Sequence, residues 1–175
     1  GSEMCIRDSI HSAYFEAGAT VATTNSYTIL RDRLKHFELE HEVHNLWNSS
    51  VAAACKARDK FGSGRIAGSI GPLVASYRPD ICPPVEEASS IYKEKVESIA
   101  PKVDILLVET VCSLKQAKGV LAATDNSNKP VWISFSVDDN DGTKLRSGEN
   151  LEEVEAVINH HLVEAVLINL SLIHI

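Results

Sequence analysis

Five short apolar segments alternate along the chain with longer segments of helical periodicity. The apolar segments have the length and composition of buried strands: Thr20–Thr24, Arg65–Gly68, Val103–Val108, Pro130–Ser136 and Ala165–Asn169. The helical segments between them are Arg31–Phe61, which is long enough for more than one helix, Pro84–Ala100, Leu114–Thr124 and Leu151–Leu162. This alternation predicts βαβ units, a parallel sheet and therefore an α/β fold.

Two of the predicted helices begin after recognisable capping residues. Ser113 directly precedes the third helical segment, and a serine hydroxyl can accept a hydrogen bond from a free N–H group of the first turn. Asn150 precedes the fourth segment, where Glu152 and Glu153 place negative charge near the positive end of the helix dipole. Ser113 and Asn150 are therefore predicted to be N-caps.

Composition and charge argue against several classes of protein. The 175 residues are 44% hydrophobic and 23% charged, as in an ordinary globular domain. The net charge is −7, from 24 acidic and 17 basic residues, and the basic residues form no cluster, so neither nucleic acid nor membrane is an expected partner. No apolar run reaches the roughly 18 residues of a membrane-spanning helix, and no signal sequence is evident, which predicts a cytoplasmic protein.

The cysteines and histidines lack the spacing of a metal site. The four cysteines are widely separated, without a C-x-x-C pair, so free thiols are expected rather than a zinc finger or a disulfide framework. His36, His41 and His44 lie close together in one helical segment, where we favour a solvated helix face over a metal site. His160 and His161 fall late in a helix, where the dipole favours histidine without any further function.

Binding and catalytic groups of parallel α/β proteins collect at the carboxyl ends of the strands. Small polar or acidic residues lie at the carboxyl end of each predicted strand of this chain. A polar pocket shared by the strands would require this arrangement. The candidate binding residues are Thr24, Asn25, Ser69, Gly71, Glu109, Ser134 and Asn169. No catalytic residue and no metal ligand can be assigned from the sequence.

Glu109 is the least expected of these residues. It follows four apolar residues, 105–108, and a carboxylate at the end of a strand buried on both faces needs a reason. Its own surroundings leave two interpretations open, a helix cap or a binding group. Gly71 can likewise serve a tight turn, and Asn25 and Asn169 can bind loop backbone groups.

Five sequence segments occur in the order IHSAYFEAGATVATTNSYTI, GRIAGSIGPLVASYRPD, VDILLVETVCSLKQAKGVLAA, KPVWISFSVDDNDGTKLRSGENLEEV and EAVLINLS. In this order and spacing they resemble the homocysteine S-methyltransferase family. The resemblance covers residues 10–171, which is nearly the whole chain. Five short motifs in the right order make it strongly specific.

The resemblance implies a (β/α)8 TIM barrel that transfers a methyl group to the thiol of homocysteine and forms methionine. In the family, three cysteine thiolates hold a zinc ion that binds this thiol and favours its thiolate form. Glu109 falls on the family's Glu-Thr motif and is expected to bind the homocysteine ammonium group, because a carboxylate in a dry site is costly unless a cation meets it. The other motif positions and strand rims contain Thr24, Asn25, Ser69, Gly71, Ser134 and Asn169.

The sequence also departs from the family pattern. The residue after Asn169, where the family has its first zinc ligand, is Leu170, and the segment with the other two cysteines is absent. The predicted strands correspond to barrel strands two to six, so we expect a partial barrel domain over 10–171, with foreign junctions at 1–9 and 172–175. No cysteine present lies on a ligand position, so we expect this chain to bind no zinc and to be inactive as it stands.

Two other functions remain open from the sequence. The chain could be a noncatalytic homocysteine-binding or scaffold protein that keeps the pocket but lacks the metal. It could also be another barrel enzyme whose Gly68–Pro72 loop holds an anion, although few basic residues lie beside that loop. The expected partners of the leading function are homocysteine and a small-molecule methyl donor: betaine, S-methylmethionine, S-adenosylmethionine, or methylated folate or cobalamin.

Overall fold

The computed structural model describes residues 10–169. Within them, five parallel strands form one sheet whose order follows the sequence. The strands are β1 (Val21–Thr23), β2 (Arg65–Ile70), β3 (Ile105–Val111), β4 (Val131–Ser136) and β5 (Val163–Asn169). The predicted α/β fold with five parallel strands is confirmed. Leu170 and the predicted junctions at 1–9 and 172–175 lie outside the described residues.

Helices occupy the connections that parallel strands require. Residues 10–16 form helix α1, ahead of β1. The later helices are α2 (Arg31–Leu34), α3 (Val43–Phe61), α4 (Val85–Ile99), α5 (Leu114–Thr124) and α6 (Glu155–Ile158). None of the described helices is both long enough and apolar enough to cross a membrane.

Two of the predicted helical segments are interrupted. Between Arg31 and Phe61 the chain forms α2, two short 3-10 turns and α3. The interruption includes Glu38, whose φ of 57° is left-handed and ends the first of these turns. After Asn150 a 3-10 turn leads into α6, which ends at Ile158, so the last predicted helix is shorter than expected.

Both predicted N-caps are confirmed. Ser113 Oγ accepts a hydrogen bond from the N–H of Gln116 at 3.1 Å. Asn150 begins a capping box, in which the Glu153 side chain accepts from the N–H of Asn150 at 3.1 Å. Because Ser113 occupies the cap of α5, the structure gives Glu109 no role as a helix cap.

The helix-facing side of the sheet forms a continuous apolar core. Leu106 and Val108 of β3 and Phe135 of β4 are fully buried in it. Helices α4 and α5 cross closely at Gly119, where a Cβ atom would lie only 2.8 Å from the Cβ of Ala88. A larger residue at position 119 would have to push the two helices apart.

Strands β2 and β3 continue beyond their predicted ends. Ser69 and Glu109 were expected just after the strands, but both lie within them. The period-two alternation of strand side chains explains this difference. The polar side chains line a cavity on one face of the sheet, whereas the adjacent residues Ile70 and Val108 are buried in the core on the other.

A β-bulge interrupts β3 directly after Glu109. The pairing of β3 with β4 changes register between Val108 and Val111, and Thr110 has a φ of 62°. A β-branched residue is strained in this left-handed region. Asn169 Nδ2 donates a hydrogen bond to Thr110 Oγ1 at 3.1 Å, which joins the bulge to the end of β5. The bulge therefore helps to fix the direction in which the Glu109 side chain points from the strand.

Strand β5 presents apolar side chains to solvent. Within residues 10–169 it pairs with β4 alone, as β1 pairs with β2 alone. Val166, Leu167 and Ile168 are 44%, 38% and 52% exposed. An apolar strand at the edge of a sheet is a surface on which further structure can pair and pack.

Candidate functional site

Glu109 faces a cavity at the carboxyl ends of the first three strands. Its Oε1 accepts a hydrogen bond from Ser69 Oγ at 2.5 Å, and the side chain is half-buried. Among residues 10–169, no ion pair includes Glu109. A carboxylate has about four lone-pair positions, so this one keeps acceptor capacity for a donor inside the cavity.

A buried set of hydroxyl groups supports Ser69. Ser26 Oγ donates to the Ser69 carbonyl at 2.8 Å, and Thr24 Oγ1 accepts from the Ser69 N–H at 3.0 Å. Thr24 Oγ1 also lies 2.8 Å from Ser26 Oγ. Because the Ser26 proton already goes to Ser69, Thr24 is the donor in that contact. All three side chains are at most 2% exposed, so the loop after β1 is bonded firmly to β2.

The cavity beside Glu109 has a volume of about 580 Å³. This volume falls in the range of small-molecule binding sites. The cavity is lined by Ile10, His11, Tyr14, Val21, Ala22, Thr23, Thr24, Asn25, Tyr27, Ser69 and Glu109. Thus Thr24, Asn25, Ser69 and Glu109, four of the seven predicted binding residues, lie around one cavity.

Ser134 and Asn169 lie in a separate polar cluster. Asn169 Oδ1 accepts hydrogen bonds from Ser134 Oγ at 3.0 Å and from Ser136 Oγ at 3.3 Å. Its Nδ2 binds Thr110 Oγ1. These two predicted residues do not line the cavity, but their cluster reaches the bulge that follows Glu109.

Gly71, the seventh predicted residue, packs behind the cavity. A Cβ atom there would lie 2.5 Å from the Tyr27 carbonyl oxygen, so only glycine fits. Tyr92 Oη donates to the Gly71 carbonyl at 3.2 Å and accepts from the Leu73 N–H at 3.0 Å. Since the N–H groups of Ser69 and Leu73 are both bonded within the chain, neither is free to hold an anion at this loop.

Lys95, which the sequence interpretation did not single out, is buried against the loop after β1. It is 1% exposed, and its Nζ donates to the Ser26 carbonyl at 2.6 Å. Burial lowers its pKa to about 7, and the charge of Glu109 partly offsets this effect. The sequence did contain a signal, because Lys95 lies on the buried stripe of α4 between Tyr92 and Val96.

Comparison with known proteins identifies the family. The sequence model described as Homocysteine S-methyltransferase matches residues 5–174. The chain belongs to the homocysteine S-methyltransferase family. The resemblance seen in the sequence motifs is therefore confirmed.

Individual members of the homocysteine S-methyltransferase family are moderately similar to the chain. Homocysteine S-methyltransferase YbgG from Bacillus subtilis (strain 168) is 29% identical over 177 residues, which cover 90% of this chain and 56% of YbgG. The homocysteine methyltransferase MmuM from Escherichia coli has a metallated crystal form with 27% identity and a TM-score of 0.84, covering 93% of this chain and 62% of MmuM. Its oxidized form gives 26% identity and a TM-score of 0.86, with coverages of 96% and 63%. The chain thus spans less than two thirds of these relatives.

The described residues do not provide the three-thiolate zinc site that the sequence resemblance implies. Cys55, Cys82 and Cys112 are free thiols with separate surroundings, and none lines the cavity. Cys55 lies 3.7 Å from the Lys102 carbonyl, and Cys112 lies 3.4 Å from the Thr110 carbonyl. This donor set does not fit zinc beside Glu109. The expectations that this chain binds no zinc and lacks activity remain predictions.

A group of possible metal ligands lies elsewhere. Within the described part of the chain, Asp125, His160 and His161 bring their ligand atoms within 4.8 Å of one another. His160 Nε2 lies 2.7 Å from Asp125, and its Nδ1 accepts from the Leu162 N–H at 3.3 Å. Both ring nitrogens are therefore engaged in protein hydrogen bonds. The prediction that His160 and His161 lie within a helix is wrong, because α6 ends at Ile158 and both residues follow it.

Proposed function

We propose that the chain forms the homocysteine-binding part of a homocysteine S-methyltransferase, with Glu109 as the group that receives the substrate ammonium. The observation that carries this proposal is the half-buried Glu109 carboxylate, which faces a ligand-sized cavity. Among the described residues its partner is a hydroxyl group and not a cation. Membership of the family supplies the reaction class. The homologues are described as methyltransferases, which does not favour a noncatalytic scaffold.

Ser69 prepares Glu109 for this role. Its hydroxyl binds one carboxylate oxygen and so limits rotation of the side chain, while the second oxygen is left for a ligand donor. The Ser69 backbone is itself held by Ser26 and Thr24. A group held in this way loses little conformational entropy when an ammonium binds. The low dielectric of the partly enclosed cavity would then strengthen the attraction between the carboxylate and the ammonium.

The same proposal gives the five strands their place in a larger fold. Their strictly sequential parallel order is that of a (β/α)8 barrel, and we assign them to barrel strands two to six. The exposed apolar residues 166–168 of β5 lie where the next barrel strand would pack. In such a barrel the 580 Å³ cavity opens at the carboxyl ends of the strands, where a methyl donor and homocysteine would meet.

Calorimetric titration of the chain with L-homocysteine tests the assignment of Glu109. We expect Glu109→Gln to weaken binding by about 10- to 100-fold, the range for loss of a hydrogen bond to a charged group. Glu97→Gln is the matched control, because Glu97 is an exposed acid on α4 that pairs with Lys93 at 3.8 Å. Circular dichroism would verify that both variants keep the fold.

A second ligand makes the experiment specific for the amino group. 4-Mercaptobutanoate has the thiol and carboxylate of homocysteine but no ammonium. Glu109→Gln should therefore change its affinity much less than that of homocysteine. Equal homocysteine affinity in the wild-type chain and the folded Glu109→Gln variant would refute the assignment.

A further inference from the structure

Lys95 is a buried cation without an anionic partner at contact distance. Its side chain is 1% exposed, and among residues 10–169 no ion pair includes it. Its hydrogen-bond partner is the Ser26 carbonyl, at 2.6 Å. A lysine ammonium has three N–H donors and loses much hydration free energy on burial. Such a group calls for an explanation in terms of its surroundings.

A series of hydrogen bonds connects Lys95 with Glu109. Lys95 binds the carbonyl of Ser26, whose hydroxyl binds the Ser69 carbonyl. The Ser69 hydroxyl binds Glu109. The acid and the amine are thus held at two ends of one hydrogen-bonded network that runs through the loop after β1 and through β2.

The charges around Lys95 come from two elements, β3 and α2. Glu109 of β3 and Asp32 of α2 favour the ammonium form, and Arg33 of α2 opposes it. Tyr92 lies one turn away on the same helix and has its hydroxyl bonded at the Gly71 loop. Burial outweighs these charges, so the pKa of Lys95 is about 7 and the side chain changes its charge near neutral pH.

We propose that Lys95 is a positioning residue of the Glu109 site, which fixes the loop after β1 and competes, as an ammonium, with a ligand amino group for the charge of Glu109. This inference rests on the proposed function, because the competing ligand group is the homocysteine ammonium. Two cations that share one carboxylate repel each other in a medium of low dielectric. Binding of an amino ligand should therefore release the Lys95 proton, and affinity should increase as the pH rises through about 7.

Nuclear magnetic resonance tests the coupling without any ligand. The chain is labelled with ¹³C at lysine Cε, and one lysine is expected to titrate near neutral pH. Its signal should disappear in Lys95→Met and remain in Lys93→Met, the matched variant of an exposed lysine on the same helix. In Glu109→Gln the titration midpoint should move to lower pH, because the carboxylate that favours the ammonium is gone. A wild-type chain in which every lysine titrates above about pH 9, or an unchanged midpoint in Glu109→Gln, would overturn the proposal.

Calorimetry tests the competition with ligand. Between about pH 6 and 8, the affinity of the wild-type chain for L-homocysteine should rise about fivefold, which corresponds to roughly 1 kcal/mol. Titrations in buffers of different ionisation enthalpy should show proton release. Both effects should persist in Lys93→Met and vanish in Lys95→Met. A purely structural role would instead change the affinity equally at every pH, and that result would contradict the proposal.

The two measurements separate this inference from the proposed function. If the wild-type chain binds no homocysteine but Lys95 responds to Glu109→Gln, the proposed function and the ligand competition both fail, whereas the coupling of the two side chains stands. If homocysteine binds through Glu109 and no lysine titrates near neutral pH, the proposed function stands and the inference about Lys95 fails. The titration of the wild-type chain and Glu109→Gln decides the coupling even where Lys95→Met does not fold.

Discussion

The two ends of the parallel strands hold their charged residues in different ways. At the amino end, Arg65 lies over the Trp132 ring at 5.2 Å and pairs with Glu164 at 3.9 Å, while Trp132 Nε1 donates to Glu164 at 2.8 Å. At the carboxyl end, Glu109 binds a hydroxyl group and Lys95 binds a carbonyl group. Opposite charges thus meet near solvent at one end and are kept apart in partly or fully buried positions at the other.

This difference indicates which end is built for binding. Exposed ion pairs such as Arg65–Glu164, whose side chains are 47% and 52% exposed, contribute only about 0 to 1 kcal/mol to stability. Buried charges without a contacting counter-ion reduce stability. The unpaired charge of Glu109 beside the cavity is explained if a ligand supplies a cation, as proposed above. The amino end stabilises the sheet modestly, whereas the carboxyl end carries a cost in stability that the proposed ligand site would explain.

The largest effect that follows from this contrast is on the pH dependence of stability. Burial lowers the pKa of Lys95 to about 7 in the folded chain, against about 10.4 for an unfolded lysine. Below about pH 7 both states are protonated, and the full cost of the buried charge is present. Between the two pKa values the unfolded state binds more protons, so the free energy of unfolding should rise with pH by a few kcal/mol.

Urea unfolding followed by circular dichroism at several pH values between about 7 and 10 measures this rise. The difference between the wild-type chain and Lys95→Met isolates the contribution of Lys95 from that of tyrosines and cysteines. The exposed Lys93 serves as the control, and Lys93→Met should behave like the wild-type chain. Parallel pH profiles for the wild-type chain and Lys95→Met would remove the contrast between the two ends.

A medium effect on the free energy of unfolding is expected at the bulge after Glu109. Both Thr110→Ala and Thr110→Gly remove the hydroxyl that accepts from Asn169, but only glycine adopts a φ of 62° without strain. Thr110→Ala should therefore be about 1 to 2 kcal/mol less stable than Thr110→Gly in urea unfolding. The opposite order is expected at Thr23, an exposed strand position. An alanine variant as stable as the glycine variant would mean that the bulge stores no strain.

The smallest effect on the free energy of unfolding is expected at the amino end of the strands. Glu164→Gln removes the charge that pairs with Arg65 but keeps an acceptor for Trp132. The free energy of unfolding should change by less than about 1 kcal/mol, and less still at high salt. A loss of several kcal/mol would show that the amino end also depends on buried charge, and the contrast between the ends would no longer hold.

The sequence was sufficient for the parts of the fold that follow from local patterns. Runs of apolar residues located all five strands, and the caps at Ser113 and Asn150 followed from residue type alone. The strand ends were placed too early at Ser69 and Glu109, because polar residues on one face of a strand look like the start of a loop. Only the second face, with its buried residues, shows that the strand continues.

The site was less accessible from the sequence than the fold. The motif resemblance selected Glu109, and strand-end positions selected Ser69, but the contact between them depends on the register of β2 and β3. Thr110 gave no signal, because threonine disfavours the left-handed conformation that it adopts. Lys95 gave one that was overlooked, namely a charge in an apolar helical stripe. Periodicity places a residue on a face of its own element, whereas a site depends on how elements meet.

The close crossing of α4 and α5 at Gly119 has a consequence for any response to pH. Helix α4 carries Lys95, and α5 follows the strand that carries Glu109. Because the crossing leaves almost no space between the two backbones, the helices have little freedom to slide. If Lys95 and Glu109 are coupled as proposed, a change in the charge of Lys95 would reach Glu109 through its field and the hydrogen-bonded network between them. The response would then need no sliding of α4 against α5.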